Sequence, residues 1–455
     1  MTKTGNAIAG EIEQEHASGI SPGRSWFSVA IFLFVAIFAY LDRLIISLLV
    51  EPIRASLHVT DFQIGLLQGV AFGLFYAVFG IPIGWLVDRY SRRTIIYLGM
   101  TLWSVAASCC GLASTYWQLL IARFGVGIGE ASLGPAVYSM IADLFPPRRM
   151  ALAIGIFATG SSIGGAIAYM AGGVVIQKLE ALGTVSFPVL GALEPWQMVF
   201  MLTGAPGIFT AMLVWLVPEP ARTRHVPATS REPRQDHGLI RLLASNKRYF
   251  TCHFLGFGMI AVMAYGMAAW TPVMLMRRYG MSVSDVGMLL GLVNLLPGMA
   301  GFVFGGWFVD RWYARGTSDA HLRFFVYTSF IGIACAIIAF VLADTLWLFL
   351  PAYMALHFLQ PFTGPSVAHL QLATPPRFRG RMTALFGMVF NFMGMCLGPP
   401  TVAFFTDFVF ADPMQVNRAL AIVLVGGGLL AAGLLWYALP AARLAVRRPD
   451  DPVQA

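Results

Sequence analysis

Four ionisable residues stand inside apolar stretches long enough to cross a bilayer. Asp42 and Arg43 lie in the run near 26–49, and Arg123 and Glu130 lie in the run near 117–142. A charge at mid-bilayer costs several kcal/mol unless it is paired or hydrated, so its presence there points to function. Depth follows from helical rise. Asp42 is about seven residues, or about 10 Å, from the end of its run, and Arg123 is about six residues from the start of its own. The two share a level and can pair if their helices face. Glu130 follows Arg123 by about two helical turns, which puts both on one face with Glu130 about 10 Å deeper. Arg43 points about 100° away from Asp42 and can turn toward Glu130. Two acids and two bases so placed can take up and release a proton, and can hold an anion. A static buried ion network is the plain alternative, since pairing alone would satisfy the four.

The remaining residues offer no reaction chemistry. Gly125, Gly127 and Gly129 follow no strand and read as close helix packing rather than a nucleotide loop. There is no zinc spacing and no nucleophile elbow, and the five cysteines all fall in apolar runs. No catalytic residue, no metal and no cofactor are expected, so the chain is not read as an enzyme and an ion gradient would supply the energy. The carboxyl-terminal half lacks a central carboxylate. It offers His253, His357 and His369, which read as packing residues, with Asn294 and Asn391 among Phe, Met and Leu. One charged wall and one oily wall suit an amphipathic anion, with Arg43 nearest its head.

The elements that must position these residues are transmembrane helices. The chain has 455 residues, of which 58% are apolar and 11% charged, far below the usual charged share of about 25%. Twelve spans are predicted near 26–49, 63–87, 94–113, 117–142, 151–176, 196–218, 249–274, 284–309, 323–343, 346–372, 381–406 and 417–440. Lys and Arg number 23 in the tails and alternate loops and 5 in the opposing loops. That bias places both termini in the cytoplasm of a multi-pass protein, expected in a bacterial inner membrane. The net charge of +8 therefore sets topology and does not imply nucleic acid. The expected parts are a tail (1–25), a six-helix bundle (26–218), a linker (219–248) with a short surface helix at 237–246, a second bundle (249–440) and a tail (441–455). Gly394, Gly398 and Pro399 predict a flexible break in span 11.

The halves repeat. Gly84-Trp-Leu-Val-Asp88-Arg89-Tyr-Ser-Arg92-Arg93 follows span 2, and Gly306-Trp-Phe-Val-Asp310-Arg311 follows span 8. Phe145-Pro-Pro-Arg148-Arg149 and Thr374-Pro-Pro-Arg377 follow spans 4 and 10. Parallel six-span repeats with a site between them at mid-membrane describe a rocking transporter. The first loop resembles that of the major facilitator superfamily. The resemblance implies an all-α membrane fold of twelve transmembrane helices in two pseudo-symmetric bundles. It also implies a cytoplasmic latch at Gly84, Asp88, Arg89 and Arg93, with Asp310 and Arg311 as the second copy.

Leu41-Asp42-Arg43, Arg123-Phe-Gly-Val-Gly-Ile-Gly-Glu130-Ala-Ser and Ile-Ala-Asp143-Leu-Phe-Pro resemble the Spinster group of that superfamily, whose members move sphingosine phosphate and other lysolipids. By that resemblance Asp42 and Glu130 are proton-coupling or gating residues, and Arg43 and Arg123 are their partners or head-group contacts. The expected function is proton-linked secondary transport of amphipathic organic anions by alternating access, in a monomer surrounded by lipid. Two alternatives stay open: a transporter of drugs or small carboxylates, and a membrane receptor or scaffold that moves nothing.

Overall fold

The computed structural model of the chain describes residues 20–220, 237–375 and 378–446. The expectations for the tails before residue 20 and after 446, for the linker stretch 221–236 and for Arg377 lie outside the described residues.

Helices follow the apolar runs, and their ends follow capping chemistry. In the first half they are α1 (Pro22–Ile45), α2 (Val50–Leu57), α3 (Asp61–Gln68), α4 (Val70–Arg89), α5 (Arg92–Cys110), α6 (Tyr116–Glu130), α7 (Leu133–Leu144), α8 (Pro147–Leu182) and α9 (Pro195–Thr210). The second half holds α10 (His237–Ser245), α11 (Lys247–Tyr279), α12 (Val283–Val293), α13 (Met299–Ala314), α14 (Ala320–Ile337), α15 (Leu346–Leu359), α16 (Thr363–Leu372), α17 (Arg379–Phe404) and α18 (Val416–Val446). A hairpin of β1 (Val185–Phe187) and β2 (Gly191–Leu193) joins α8 to α9. Thr60 with Gln63 and Glu194 with Gln197 form capping boxes that satisfy orphan N–H groups at the starts of α3 and α9. Ser91 and Ser282 cap α5 and α12 with their hydroxyls. Gly280, at φ +64°, ends α11 in the left-handed conformation that only glycine enters cheaply.

Among the described residues, nine helices or helix pairs are long and apolar enough to cross a membrane. The other three predicted spans are helical as well. Span 3 is α5, whose Arg92, Arg93 and hydroxyl residues dilute its apolar character. Span 4 is broken between α6 and α7 just after Glu130, and span 10 is broken between α15 and α16 at Gln360–Phe362. Twelve spans in two sets of six result.

The chain divides into two compact units: Met1–Leu57 with Leu74–Glu232, and His58–Gly73 with Pro233–Ala455. The start of span 2 thus packs in the second unit. Its glycines explain why: a Cβ on Gly65 would stand 3.0 Å from the Ala403 Cβ, and one on Gly69 would stand 2.7 Å from the Met395 carbonyl oxygen. Arg277 adds a bidentate ion pair to Asp61 at 2.7 and 2.8 Å.

Glycine decides the packing of the first unit too. A Cβ on Gly129 would lie 2.6 Å from the Trp103 nitrogen, and one on Gly125 would lie 2.9 Å from the Ala106 Cβ. The glycines beside Glu130 therefore let α6 press on α5, as small-residue faces do in membranes. Span 11 differs from expectation. The helix α17 runs unbroken past Gly398, Pro399 and Pro400. Gly394 and Gly398 instead admit Tyr265 and Gly266 of α11, and the Trp270 indole donates to the Pro399 carbonyl at 2.9 Å.

Candidate functional site

The four intramembrane charges all fall in the first unit, and its helices bring them together. Asp42 and Arg43 end α1, Arg123 lies midway along α6, and Glu130 is its last residue. Asp42, Arg123 and Glu130 are 4%, 1% and 2% exposed. Arg43 Nη2 donates to Glu130 Oε2, closing an ion pair between spans 1 and 4. The Arg43 guanidinium lies 4.9 Å from the Tyr40 ring centre and 5.5 Å from that of Tyr76, a favourable aromatic setting for a cation.

Asp42 takes its hydrogen bond from another helix: the Thr203 hydroxyl of α9 donates to Asp42 Oδ1 at 3.2 Å. Arg123 stands within electrostatic reach of both Asp42 and Glu130. Asp42 Oδ2 and Glu130 Oε1 are buried without a hydrogen-bond donor among the described residues. A buried carboxylate oxygen with no donor is costly, and a proton placed on it relieves that cost. Two such oxygens beside two guanidiniums can exchange a proton and an anion against each other. Thr203 carried no signal in the sequence beyond being one of two threonines in span 6.

The histidines of the second unit are engaged in packing. His253 Nε2 donates to the Ser366 carbonyl at 3.1 Å, and His369 Nδ1 shares a 2.7 Å hydrogen bond with the Tyr249 hydroxyl. His357 lies against the Tyr353 ring, 4.7 Å between centroids. Asn391 accepts from Tyr265 at 3.4 Å. Among the described residues no group of His, Cys, Asp and Glu is placed to hold a metal ion.

The residues expected to form the latch sit at the loop-side ends of spans 2, 3 and 8. Gly84 faces open space, Asp88 is exposed, and Arg89 lies over Trp85 with its Cζ 3.9 Å from the ring centre. Arg93 lies over Trp215 at 4.7 Å, and its backbone N–H donates to Glu219 at 2.9 Å. Asp310 is exposed and Arg311 sits 5.9 Å from the Trp307 ring.

The centre of this region is a residue the sequence reading did not assign. Arg92, 1% exposed, binds Asp143, donates to Glu219 at 2.9 Å and to the Pro220 carbonyl at 2.7 Å. It thereby ties the ends of α5, α7 and span 6. Burial alone would raise the Glu219 carboxyl. Donors from the Arg93 and Arg92 N–H groups, the Ser91 hydroxyl and the Arg92 guanidinium outweigh it and hold the group below the ordinary 4.5. The signals were Asp143 at the end of span 4 and Glu219 between two prolines. The second unit mirrors this clamp with its signs reversed. Asp319, before α14, receives Arg323 at 2.9 Å and Arg443 from the end of α18 at 2.7 Å. An acid at a helix start and a cation at a helix end each suit the helix dipole.

The comparisons agree with this architecture. The family model for the Major Facilitator Superfamily matches residues 32–399. An MFS-type efflux pump of Mycolicibacterium smegmatis is 27% identical over 94% of this chain and 95% of its own length. Protein spinster homolog 1 of Homo sapiens is 27% identical over 64% of this chain, a match that spans 56% of that protein. The solved structure of a bacterial homologue of the human lysosomal transporter Spinster, inward-facing and unoccupied, gives a TM-score of 0.73 at 26% identity. It covers 94% of this chain and 98% of its own. The family and fold are those of transporters, not enzymes. The chain belongs to the Major Facilitator Superfamily, in which it groups with the Spinster transporters.

Proposed function

We propose that this secondary transporter is proton-linked and carries amphipathic organic anions of the lysolipid or sphingolipid kind by alternating access. One observation carries the reading: two buried carboxylates, each with an oxygen lacking a donor among the described residues, stand beside two arginines in the first unit. An anionic head group entering this wall competes with Glu130 for Arg43. The displaced carboxylate must then find another donor or take a proton. Asp42, held by Thr203 and within reach of Arg123, responds to the same rearrangement, so proton affinity and anion affinity become linked. Asp42 and Glu130 serve as the proton-coupling groups, and Arg43 and Arg123 as their charge partners and the anchor for the head. The proton gradient is the energy source, and the working unit is a monomer in a bacterial inner membrane with both termini cytoplasmic.

A second reading has a specific support, the relative named as an efflux pump along nearly its whole length. A drug or small carboxylate would then replace the lipid. Competition separates the two. Purified protein in liposomes is given a labelled lysophospholipid under a pH gradient, with excess unlabelled lysolipid or excess small carboxylic acid. The proposal expects lysolipid to suppress the labelled flux and the small acid to leave it. Suppression by the small acid alone would move the assignment to a carboxylate carrier. Tight lysolipid binding with no flux of either compound would favour a receptor.

A further inference from the structure

The second unit carries a basic groove that the transport chemistry does not use. It has a volume of about 230 Å³ and lies between α14 and α18. It is lined by Arg323 and Arg443, by the aromatics Tyr327 and Trp436, and by the apolar Val326 and Leu439. The charge in it does not cancel. Both guanidiniums share one oxygen of Asp319, which is only 1% exposed, so two cations meet one anion. Arg443 uses only its Nε in that contact and its side chain is 49% exposed. Its terminal nitrogens have no partner among the described residues. Arg323 keeps a buried Nε without an acceptor among the described residues.

The layout is graded along the helix. Arg443 is in the last turn of α18, and Trp436 lies about 10 Å before it. Trp436 and Tyr327 are 59% and 47% exposed, as aromatics at the level of lipid head groups are. Pro440 has no N–H, so the Trp436 carbonyl one turn back is left without its helical donor. Arg248 of α11 adds a further cation beside the same stretch, donating to the Tyr437 carbonyl at 2.8 Å.

Two arginines with spare donors suit a phosphate, which accepts paired N–H groups. A carbonyl acceptor beside them suits a head-group hydroxyl or amine. Val326 and Tyr327 stand one turn along the helix from Arg323, and Leu439 and Trp436 one and two turns from Arg443, an apolar lining that suits an acyl chain and has no use for a free ion. We propose that the α14–α18 groove is a binding site for an anionic membrane phospholipid, seated by its phosphodiester on Arg323 and Arg443. Basic clusters between transmembrane helices at the loop-side leaflet bind lipid head groups in this way. The site is separate from the four intramembrane charges, which belong to the first unit.

The test uses the full chain in an uncharged detergent and follows its thermal midpoint while phosphatidylglycerol is added. The expected result is a saturable rise with phosphatidylglycerol and none with phosphatidylcholine, glycerol phosphate or inorganic phosphate at the same concentrations. Arg443→Gln leaves Asp319 its partner Arg323, and should need at least tenfold more phosphatidylglycerol for the half-maximal rise. Trp436 lines the groove and is 59% exposed, so Trp436→Glu sets a carboxylate there without disturbing the core and should do the same. Should the Arg443 variant fail to fold, Trp436→Glu decides alone. An unchanged phosphatidylglycerol response in Trp436→Glu overturns the site. An equal response to phosphatidylcholine removes the phosphate-and-charge argument, and an equal response to inorganic phosphate shows a free-anion site instead of a lipid one.

Discussion

Removing Glu130 takes the carboxylate from a largely buried ion pair, and the size of the effect can be worked from its surroundings. The Glu130 side chain is 1% exposed and that of Arg43 is 13% exposed, so water can do little for whichever partner remains. In Glu130→Gln the amide oxygen can still accept from Arg43. A hydrogen bond to a charged group contributes about 1.5–3 kcal/mol and a neutral one about 0.5–1.5 kcal/mol, so the change costs about 1–2 kcal/mol. In Glu130→Leu the carboxylate is lost from the pair altogether, and breaking a buried pair from one side costs about 3–5 kcal/mol. For a unit of this size 1 kcal/mol moves the thermal midpoint by about 2–4 °C. The Gln variant should therefore fall by a few degrees and the Leu variant by roughly 6–20 °C. Because apolar replacement of both partners is often neutral, Arg43→Leu with Glu130→Leu should recover most of that loss. Thermal unfolding in detergent reads all four proteins, and liposome flux is measured beside it. Flux should stay absent in the double variant although stability returns. A Glu130→Leu midpoint within 2 °C of the parent, or full flux in the double variant, would refute this reasoning.

Thr203→Val removes the hydroxyl that holds Asp42 and should cost about 1 kcal/mol, or roughly fivefold in flux, while Thr203→Ser retains activity. Gly129→Val places a methyl group against the Trp103 backbone nitrogen and should abolish folded expression, since a backbone atom cannot yield as a side chain can. Glu219 makes acid stability pH-dependent. Its carboxyl lies below 4.5 in the folded chain, so its contribution is complete above 4.5 and is lost as pH falls through the lowered value. Midpoints measured from pH 6 to pH 3 should drop less in Glu219→Gln than in the parent. Arg92→Lys keeps the charge but cannot reach Asp143, Glu219 and Pro220 together, and should weaken the clamp measurably in the same assay.

Most of the architecture was legible because membrane helices obey few constraints. Length and apolarity located all twelve spans, including α5 and the broken spans 4 and 10. Asp42, Arg43, Arg123 and Glu130 stood out because charge is costly in an apolar run, and the structure gathers all four in one unit. Helical rotation allowed Arg43 to reach Glu130, and it does. What the sequence hid were partners set by tertiary approach. Thr203 meets Asp42 from a helix 161 residues away, and a threonine in an apolar run is ordinary. Arg92 looked like one more basic loop residue until Asp143 and Glu219 converged on it. The start of span 2 packs with the second unit through Asp61 and Arg277, a pairing 216 residues apart that periodicity cannot express. Gly398-Pro399 read as a break, but the helix runs through because neighbouring α11 packs into the glycine faces and donates to the Pro399 carbonyl.

The central claim is that a buried carboxylate links proton movement to movement of an amphipathic anion. Its most direct measurement is labelled lysophospholipid flux into liposomes holding the purified protein, with and without a pH gradient, for the parent and for Asp42→Asn. The account predicts gradient-driven accumulation in the parent and only gradient-independent equilibration in the variant. Accumulation of equal size in both proteins, or flux in the parent that ignores the gradient, would contradict it.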